Sequence, residues 1–303
     1  MRREYWYLIL AGIFYGTIAP GGQLLLGRGL SLFETAFYRP FIVGLILLPA
    51  VLARRDLMPG RGALGPLAVY GLVGGLLELA LFAGLALGVP VAIAVLLLYT
   101  QPVWTIFIGR LALGEEITGR KLVSAVLGLV GLACLLQSWE AGAGPASYIG
   151  IACGLLSGIL LSLWVVLGKR ISVTGQHYVT TTFGWSAFAS AWLLLLLPLM
   201  KLLLPGDEFS GLAFALPAGD WLALVIVSVL GGAVPHLLFY RGLRGVPASV
   251  AGIVLLLEPA SATVLAWAFL VQHIGFYTLL GGAFILLSNY IVVRRAGGSG
   301  GVQ

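Results

Sequence analysis

Long apolar stretches alternate with short polar turns along almost the whole chain. Ten of them approach the roughly 20 residues of helix that cross the hydrocarbon layer of a membrane. The chain is therefore predicted to be all-α and to cross a membrane ten times. The predicted spans are 6–27, 32–52, 64–87, 91–112, 121–138, 147–168, 178–199, 220–241, 248–270 and 274–293.

Two segments, 81–102 and 238–259, resemble each other at a constant offset. Gly88-Val89-Pro90 corresponds to Gly245-Val246-Pro247, and Pro102 corresponds to Pro259. Secondary transporters are often built from two such repeats, with the substrate site near the membrane midplane between them. We therefore divide the chain into one five-helix repeat over 1–144, a second over 145–295, and a flexible tail over 296–303.

Basic residues are distributed unevenly between the two sets of turns. If the N-terminus is cytoplasmic, most Lys and Arg residues fall on the cytoplasmic side, and Arg28, Arg39 and Lys201 fall outside. The positive-inside rule then places both termini in the cytoplasm. Five crossings in each half give the halves opposite topology, so the sequence predicts an inverted repeat.

Composition supports a membrane protein and excludes an ordinary soluble chain. The residues are 60% hydrophobic and 9% charged, where soluble domains carry about 25% charged residues. The net charge of +6 does not indicate nucleic-acid binding, because the basic residues are dispersed between apolar segments. Cys134 and Cys153 lie inside apolar segments and are interpreted as core residues, with no disulfide, metal or cofactor expected. We expect a multi-pass protein of a prokaryotic cytoplasmic membrane.

Short motifs give the chain a family resemblance over residues 5–295. The motifs are Tyr38-Arg39-Pro40, Gln101-Pro102, Leu113-Gly114-Glu115 and Glu258-Pro259. With the five-plus-five layout, the chain resembles the EamA-type ten-helix proteins of the drug/metabolite transporter superfamily. One departure is Val271-Gln272, where the second repeat usually carries Gly-Glu. The resemblance implies transport of small solutes, often export of amino acids or other metabolites, without ATP.

Ionisable groups inside the hydrocarbon cost about 2.5–3.5 kcal/mol on insertion scales, so each is a candidate for the transport site. Glu78, His236 and Glu258 fall within spans, and the repeat offset pairs Glu258 with Gln101. We expect these four residues to converge on a central cavity.

Glu78 is the leading candidate for exchanging a proton. Low dielectric disfavours its charged form, so it could bind and release a proton near neutral pH. The alternative is a protonated Glu78 bonded to a backbone carbonyl. Glu258 and His236 also have structural alternatives to a place in the transport site. Glu258 could satisfy backbone groups freed by Pro259, and His236 could stabilise a helix kink at Pro235.

Arg39 has two interpretations. It could bind a substrate carboxylate through two parallel hydrogen bonds. We favour the other, an ion pair with Glu34 or snorkelling towards the headgroups. The cytoplasmic cluster Glu115, Glu116, Arg120 and Lys121 is interpreted as a solvated loop.

Several aromatic residues lie deep in the predicted spans. Tyr99 and Trp104 flank Gln101-Pro102 and are the preferred candidates for contact with a substrate. For the others, core packing is the expected role: Tyr15, Trp164, Trp185 and Tyr240.

The first span is predicted to bend. Pro20, followed by Gly21 and Gly22, removes one bond of the helix ladder. In the sixth span Gly150, Gly154 and Gly158 form a small-residue face that allows close helix contact. The hypothesis is that the first and sixth spans line the pathway and that bending alternates access.

These observations favour a secondary transporter, not an enzyme, and no catalytic residues are expected. The leading hypothesis is export of a small polar metabolite, above all an amino acid, with protons as a coupling partner. Two carboxyl groups without a deep basic partner favour cationic or zwitterionic cargo, so export of organic cations is the alternative. A membrane enzyme or lipid-handling protein is a third hypothesis. The other expected partners are the lipid bilayer and, if the protein dimerises, a second copy.

Overall fold

The computed structural model describes residues 3–137, 139, 148–203, 206–270 and 275–296. Their α-helices are α1 Arg3–Tyr15, α2 Ile18–Gly27, α3 Leu32–Ala53, α4 Arg61–Ala86, α5 Val91–Leu98, α6 Gln101–Leu113, α7 Gly119–Leu136, α8 Tyr148–Ser172, α9 Tyr178–Leu203, α10 Asp207–Ser210, α11 Ala218–Ser228, α12 Val234–Leu243, α13 Ala248–Val254, α14 Leu257–Leu270 and α15 Phe276–Ala296. A short 3₁₀ turn covers Arg55–Leu57, and a π-helical turn covers Val229–Ala233.

Among the described residues, ten helical segments are long and apolar enough to cross a membrane, which confirms the predicted number. They are Arg3–Gly27, Leu32–Ala53, Arg61–Ala86, Val91–Leu113, Gly119–Leu136, Tyr148–Ser172, Tyr178–Leu203, Ala218–Leu243, Ala248–Ala268 and Phe276–Arg294. The observed bounds agree with the predicted ones to within a few residues at most ends. Val271-Gln272 and the tail beyond Ala296 lie outside the described residues.

The first span is broken, and the break lies upstream of its proline. α1 ends at Tyr15 and α2 begins at Ile18, so the interruption falls at Gly16-Thr17. Pro20 has no N–H, and its ring clashes with the carbonyl four residues earlier, which is that of Gly16. Thr17 stabilises the turn because its hydroxyl donates to the Phe14 carbonyl at 2.8 Å.

The fourth and ninth spans break at corresponding places of the predicted repeat. α5 begins directly after Pro90, and α13 begins directly after Pro247. Both spans are interrupted a few residues before Pro102 and Pro259 respectively, for the same reason as in the first span.

Helices of the first half pack against helices of the second half, and the main contacts form symmetric pairs. The third span packs on the sixth (α4 on α8), and the eighth packs on the first (α12 on α1). The third also packs on the seventh (α4 on α9), and the eighth on the second (α11 on α3), while the fifth packs on the tenth (α7 on α15). A two-fold relation between the halves would produce this pattern. The domain boundary, the inverted orientation in the membrane and the cytoplasmic position of the termini stay predictions.

The sixth span, α8, is continuous, in contrast to the first. Its predicted small-residue face lets the preceding half approach closely. A Cβ atom at Gly158 would lie 2.6 Å from the Leu97 carbonyl oxygen, and one at Gly154 would lie 2.8 Å from Leu97 Cδ1. α5 therefore rests directly on α8 and fixes the start of the fourth span.

Candidate functional site

A central cavity of about 190 Å³ lies between the two halves of the bundle. It is larger than the roughly 150 Å³ that holds a benzene molecule in an engineered protein core. Most of its wall is apolar. The charged, polar and aromatic residues that line it are Tyr15, Arg39, Glu78, Tyr99, Trp164, Trp185, His236 and Glu258.

The irregular parts of the spans meet at this cavity. Tyr15 ends α1 and Tyr99 follows α5, while Leu255 follows α13, and all three line the cavity. His236 stands three residues after the π-helical turn and also lines it. Broken helices are tolerated at membrane depth where they border a cavity or other protein, so the breaks are features of the site.

Arg39 is paired with Glu78. The Arg39 Nη2 atom lies 2.8 Å from Glu78 Oε1, and the two side chains retain 18% and 21% of their accessible surface. The residues stand on α3 and α4 and both face the cavity. The expectation that the two carboxyl groups have no deep basic partner is therefore wrong for Glu78.

Glu34 is occupied by a different task, so the expected Arg39–Glu34 ion pair is wrong. Glu34 accepts hydrogen bonds from the backbone N–H of Ser31 at 2.7 Å and of Ala213 at 2.6 Å. With the Ser31 hydroxyl it forms a capping box at the start of α3. Arg39 does not snorkel, because its guanidinium lines the cavity.

Glu258 stands in the first turn of α14, beside the break in the ninth span. Its carboxyl group interacts with the Tyr99 hydroxyl, and both side chains line the cavity. Its own backbone N–H donates to the Leu255 carbonyl at 2.9 Å, so the carbonyl that Pro259 deprives of its partner is satisfied by backbone. The carboxyl group is therefore left for the cavity, which it lines.

His236 is held by backbone and by aromatic rings. Its Nδ1 atom lies 2.8 Å from the Gly232 carbonyl oxygen. Its ring stacks on Trp185, with centroids 4.2 Å apart and planes inclined at 21°. The interpretation of His236 as a kink partner is consistent with the Nδ1 contact, and the ring also reaches the cavity.

Gln101 and Trp104 are not brought into the cavity. Gln101 is fully buried, and a Cβ at Gly252 of α13 would lie 2.7 Å from its Nε2 atom. Trp104 donates through Nε1 to Thr100 Oγ1 at 3.1 Å. The expected convergence of four polar residues therefore holds for Glu78, His236 and Glu258 but not for Gln101, because the first turn of α6 faces α13.

Of the hinge candidates, Pro20, Gly21 and Gly22, none lines the cavity. Gly21 packs against Val227 of α11, where a Cβ would lie 2.9 Å from the valine methyl groups. From the first span the cavity receives Tyr15 and Ile18, on either side of the break. The sixth span contributes Leu161 and Trp164.

Sequence reasoning assigned Tyr15, Trp164 and Trp185 to core packing, yet all three line the cavity. Within the described residues, Tyr15 Oη, Trp185 Nε1 and Arg39 Nε are buried atoms without a hydrogen-bond partner. Unpartnered buried donors are uncommon and require an explanation such as a ligand or water. The sequence shows only how deep these residues lie in their spans, and this depth does not distinguish a side chain that lines a cavity from one that packs in the core.

A layer of side chains closes the bundle between the cavity and one end. The Tyr240 hydroxyl donates to the Tyr70 hydroxyl at 3.0 Å, joining α12 to α4. Beyond it, Lys169 of α8 donates to the Leu243 carbonyl at 2.6 Å. Tyr240 therefore acts in this core layer, as expected from the sequence.

Glu115 is not part of a solvated loop, which corrects that interpretation. Its carboxylate accepts the backbone N–H of Ala248 and, at 3.1 Å, that of Ser249. Lys121 Nζ lies 3.7 Å away, and both side chains are nearly buried, whereas Glu116 is exposed. Glu115 thus caps the start of α13 and joins the end of the fourth span to the ninth.

Comparison with known proteins places this cavity within a transporter fold. A family model described as the EamA-like transporter family matches residues 2–137 and 148–294. A protein of Clostridium kluyveri named an uncharacterized transporter is 27% identical, with 96% of this chain and 93% of that protein covered. One of Archaeoglobus fulgidus with the same description is 29% identical, with 97% and 98% covered. A solved crystal structure superposes with a TM-score of 0.78 over 97% of this chain and 98% of that chain at 20% identity, which shows the fold.

Proposed function

The chain belongs to the EamA-like transporter family, and from this membership we propose that it exports a small zwitterionic metabolite, such as an amino acid, in exchange for protons. It is a multi-pass membrane transporter with the cavity as the proposed substrate site. The described wall of the cavity comes from one copy of the chain, so we propose that a monomer is sufficient. The bacterial and archaeal relatives support a prokaryotic cytoplasmic membrane.

The observation that carries the proposal is the joint presence of one guanidinium and two carboxyl groups in the cavity wall. Arg39 is already balanced by Glu78 at 2.8 Å. Glu258 has a hydroxyl partner, Tyr99, but no basic group within salt-bridge distance among the described residues. The second carboxylate can therefore bind a cation, which is either the ammonium group of the cargo or a proton.

The guanidinium selects against purely cationic cargo and favours a zwitterion. Its Nε atom has no partner within the described residues, so one N–H of the fork is available beside the Glu78 pair. Arg binds carboxylates through such parallel N–H groups. A molecule whose carboxylate meets Arg39 and whose ammonium meets Glu258 would place each of its own charges beside a wall group of opposite charge.

Proton coupling is assigned to Glu258 rather than to Glu78. A carboxylate already paired with a guanidinium gains little from a proton, whereas an unpaired one in low dielectric gains much. Cargo ammonium and proton would then compete for the same carboxyl group. Competition of this kind couples two opposite fluxes when access to the site alternates.

Alternating access is supported by the positions of the irregular segments. The first, fourth, eighth and ninth spans are all interrupted at the cavity. Such interruptions concentrate flexibility where a bound molecule can influence it. Movement about them would transfer the site from one side of the membrane to the other.

Export of organic cations is the second candidate. The two carboxyl groups and the aromatic side chains of Tyr15, Trp164 and Trp185 favour it, since aromatic faces attract cations. Arg39 argues against it, because its Nε atom has no acceptor among the described residues and a cargo without a carboxylate would supply none.

The proposal is tested by counterflow in proteoliposomes. Vesicles are loaded with a mixed pool of amino acids, and labelled amino acids are offered singly to the wild type, Glu258→Gln and the control Glu116→Gln. Saturable counterflow that is retained in Glu116→Gln and lost in Glu258→Gln supports the proposal. Folded wild-type protein that exchanges organic cations but no amino acid would transfer the function to the second candidate.

A further inference from the structure

The two ring nitrogens of His236 have different environments. Nδ1 lies 2.8 Å from the Gly232 carbonyl oxygen. A carbonyl oxygen can only accept, so Nδ1 must carry the hydrogen of this bond. In a neutral ring that leaves Nε2 with a lone pair and no hydrogen.

Local backbone keeps this tautomer in place. The π-helical turn Val229–Ala233 precedes the residue, and within it the Val234 N–H donates to the Val229 carbonyl. Only glycine fits closely at position 232, because a Cβ atom there would lie 2.8 Å from Val43 Cγ2 and 3.3 Å from Arg39 Cγ. π-helical turns are rare and frequently mark functional sites.

Aromatic neighbours fix the plane of the ring. Trp185 stacks on one face with centroids 4.2 Å apart. Tyr15 at 5.2 Å and Trp164 at 5.7 Å meet the ring nearly at right angles. The ring lines the cavity, and with Nδ1 committed to backbone the nitrogen left for a ligand is Nε2.

The charged groups around His236 are engaged with partners other than its ring. Arg39 of α3 packs against Gly232, the residue that holds the ring, and it is a cation. Glu78 on α4 is paired with that arginine, and Glu258 on α14 with Tyr99. The nearest remaining titratable groups are the hydroxyls of Tyr15 and Tyr240, which are neutral.

We propose that His236 is a fixed, neutral hydrogen-bond acceptor for an N–H or O–H group of the transported molecule and does not carry the exchanged proton. This deepens the proposed function and rests on it, because it assumes that the cavity is the transport site. Arg39 binds the carboxylate of the cargo, and Glu258 binds its ammonium group or the proton. His236 accepts a hydrogen bond from a further N–H or O–H group of the cargo beside the aromatic wall. The cargo class narrows to zwitterions whose side chain carries a hydrogen-bond donor.

The tautomer is tested directly by NMR of the full chain with [¹⁵N]histidine. The chain has three histidines, assigned by replacing each with Gln. His177 provides an internal contrast, because its Nδ1 accepts the Val179 N–H at 3.3 Å and its hydrogen must therefore be on Nε2. His177 lies outside the spans, and partial burial together with Arg244 and Arg54 lowers its pKa.

The proposal expects His236 to show a protonated Nδ1 and a bare Nε2 from about pH 5 to about pH 8, the range in which ordinary histidines titrate. Ethanolammonium, whose ammonium group can meet Glu258 and whose hydroxyl can donate to His236, should shift the Nε2 resonance, and ethylammonium, which lacks the hydroxyl, should not. A hydrogen on Nε2, titration of His236 in this range, or no response of Nε2 to saturating ethanolammonium would each overturn the proposal.

A transport experiment tests the acceptor with isosteric cargo. Threonine and valine have nearly the same shape, and threonine adds a hydroxyl donor. Wild-type protein should prefer threonine by about tenfold in apparent affinity, the effect of one hydrogen bond of about 1.4 kcal/mol. His236→Gln, whose amide oxygen replaces Nε2, should keep the preference, whereas His236→Asn, which keeps a donor for Gly232, should lose it.

The two assays separate the possible failures. Preference retained in His236→Asn and lost in His236→Gln would assign the residue a purely structural role through Gly232 and overturn the proposal. Absence of any amino-acid counterflow in the wild type would contradict the proposed function instead. The NMR response to ethanolammonium then still decides whether Nε2 is an acceptor.

Discussion

Single residues decide which carboxyl group of the cavity is available for exchange. Glu78 and Glu258 stand on different spans and both reach the cavity. Arg39 pairs with Glu78, and Tyr99 with Glu258. Glu78 therefore has a fixed partner in the ion pair, whereas Glu258 is free to bind a proton or the cargo.

Removing one member of the Arg39–Glu78 pair should destabilise the protein more than removing both. An unpaired charge in a low-dielectric environment costs about 3 kcal/mol or more when fully buried, and this pair is partly exposed, so about 2 kcal/mol is expected. Thermal unfolding in detergent should show Arg39→Gln and Glu78→Gln below the wild type and the double variant close to it.

The exposed pair Arg28–Asp220 is the matched control for this cycle, with 43% of the Arg28 side chain accessible. Its disruption by Arg28→Gln should change stability by less than about 1 kcal/mol. A double variant at Arg39 and Glu78 whose loss equals the sum of the single losses would show that the two residues do not stabilise each other.

Sequence reasoning found most of the charged site residues because ionisable groups in apolar segments are rare and costly. It assigned Arg39 the wrong partner because Glu34 is near in sequence, whereas Glu78 is brought close because α3 and α4 both pack on α9 and face the same cavity. It also missed that Gln101 faces α13. Local pattern gives the depth of a residue in a span but not the direction of its side chain.

At the scale of helices, the breaks follow from prolines, and their exact places follow from what those prolines disturb. The sequence predicted bending at Pro20, and Pro102 and Pro259 act on the fourth and ninth spans in the same way. The structure places each interruption a few residues earlier, because the proline ring affects the carbonyl of the preceding turn. The π-helical turn before His236 had no clear signal, since its two glycines also suit an ordinary helix contact.

Pro20→Ala should restore a helix bond across the break between α1 and α2. The straightened span would no longer bend beside Tyr15, so the transport rate should fall by about tenfold or more while the protein remains folded. Counterflow together with circular dichroism measures both quantities. Unchanged transport by Pro20→Ala would show that this break is not a hinge.

The contact between α7 and α15 depends on a close approach of glycines. A Cβ at Gly281 would collide with the Gly131 carbonyl oxygen and lie 2.5 Å from the Leu135 backbone nitrogen. At the adjacent Gly282 nothing lies within 4 Å of a Cβ. Gly281→Ala should therefore lower stability by about 1–3 kcal/mol through overpacking.

Gly282→Ala is the matched control, with little change or a slight gain expected because alanine favours helix. Thermal unfolding of both variants in the same detergent provides the measurement. Equal effects of the two substitutions would contradict the observed face of α15.

For the whole molecule, the sequence predicted the fold well because ten apolar segments and a repeat are global patterns. The main contacts between helices of opposite halves have counterparts with the halves interchanged, which agrees with a two-fold relation. Orientation in the membrane is a separate property, which rests on the distribution of Lys and Arg.

Cysteine labelling in intact cells tests that orientation. In a background with Cys134 and Cys153 replaced by Ala, Asp207→Cys should react with a membrane-impermeant maleimide from outside, and Arg55→Cys should react after permeabilisation. Both native side chains are exposed, so accessibility does not limit the reaction. Labelling of position 55 in intact cells would reverse the assigned topology.

The most direct test of the exchange mechanism is the proton flux that accompanies transport. Proteoliposomes containing a pH-sensitive dye are given an outward gradient of a transported amino acid, for the wild type, Glu258→Gln and Glu116→Gln. We predict that amino-acid efflux drives protons inwards in the wild type and in Glu116→Gln, and that Glu258→Gln abolishes this movement. Carrier-mediated efflux without proton movement, or a proton flux that is unchanged in Glu258→Gln, would contradict the account.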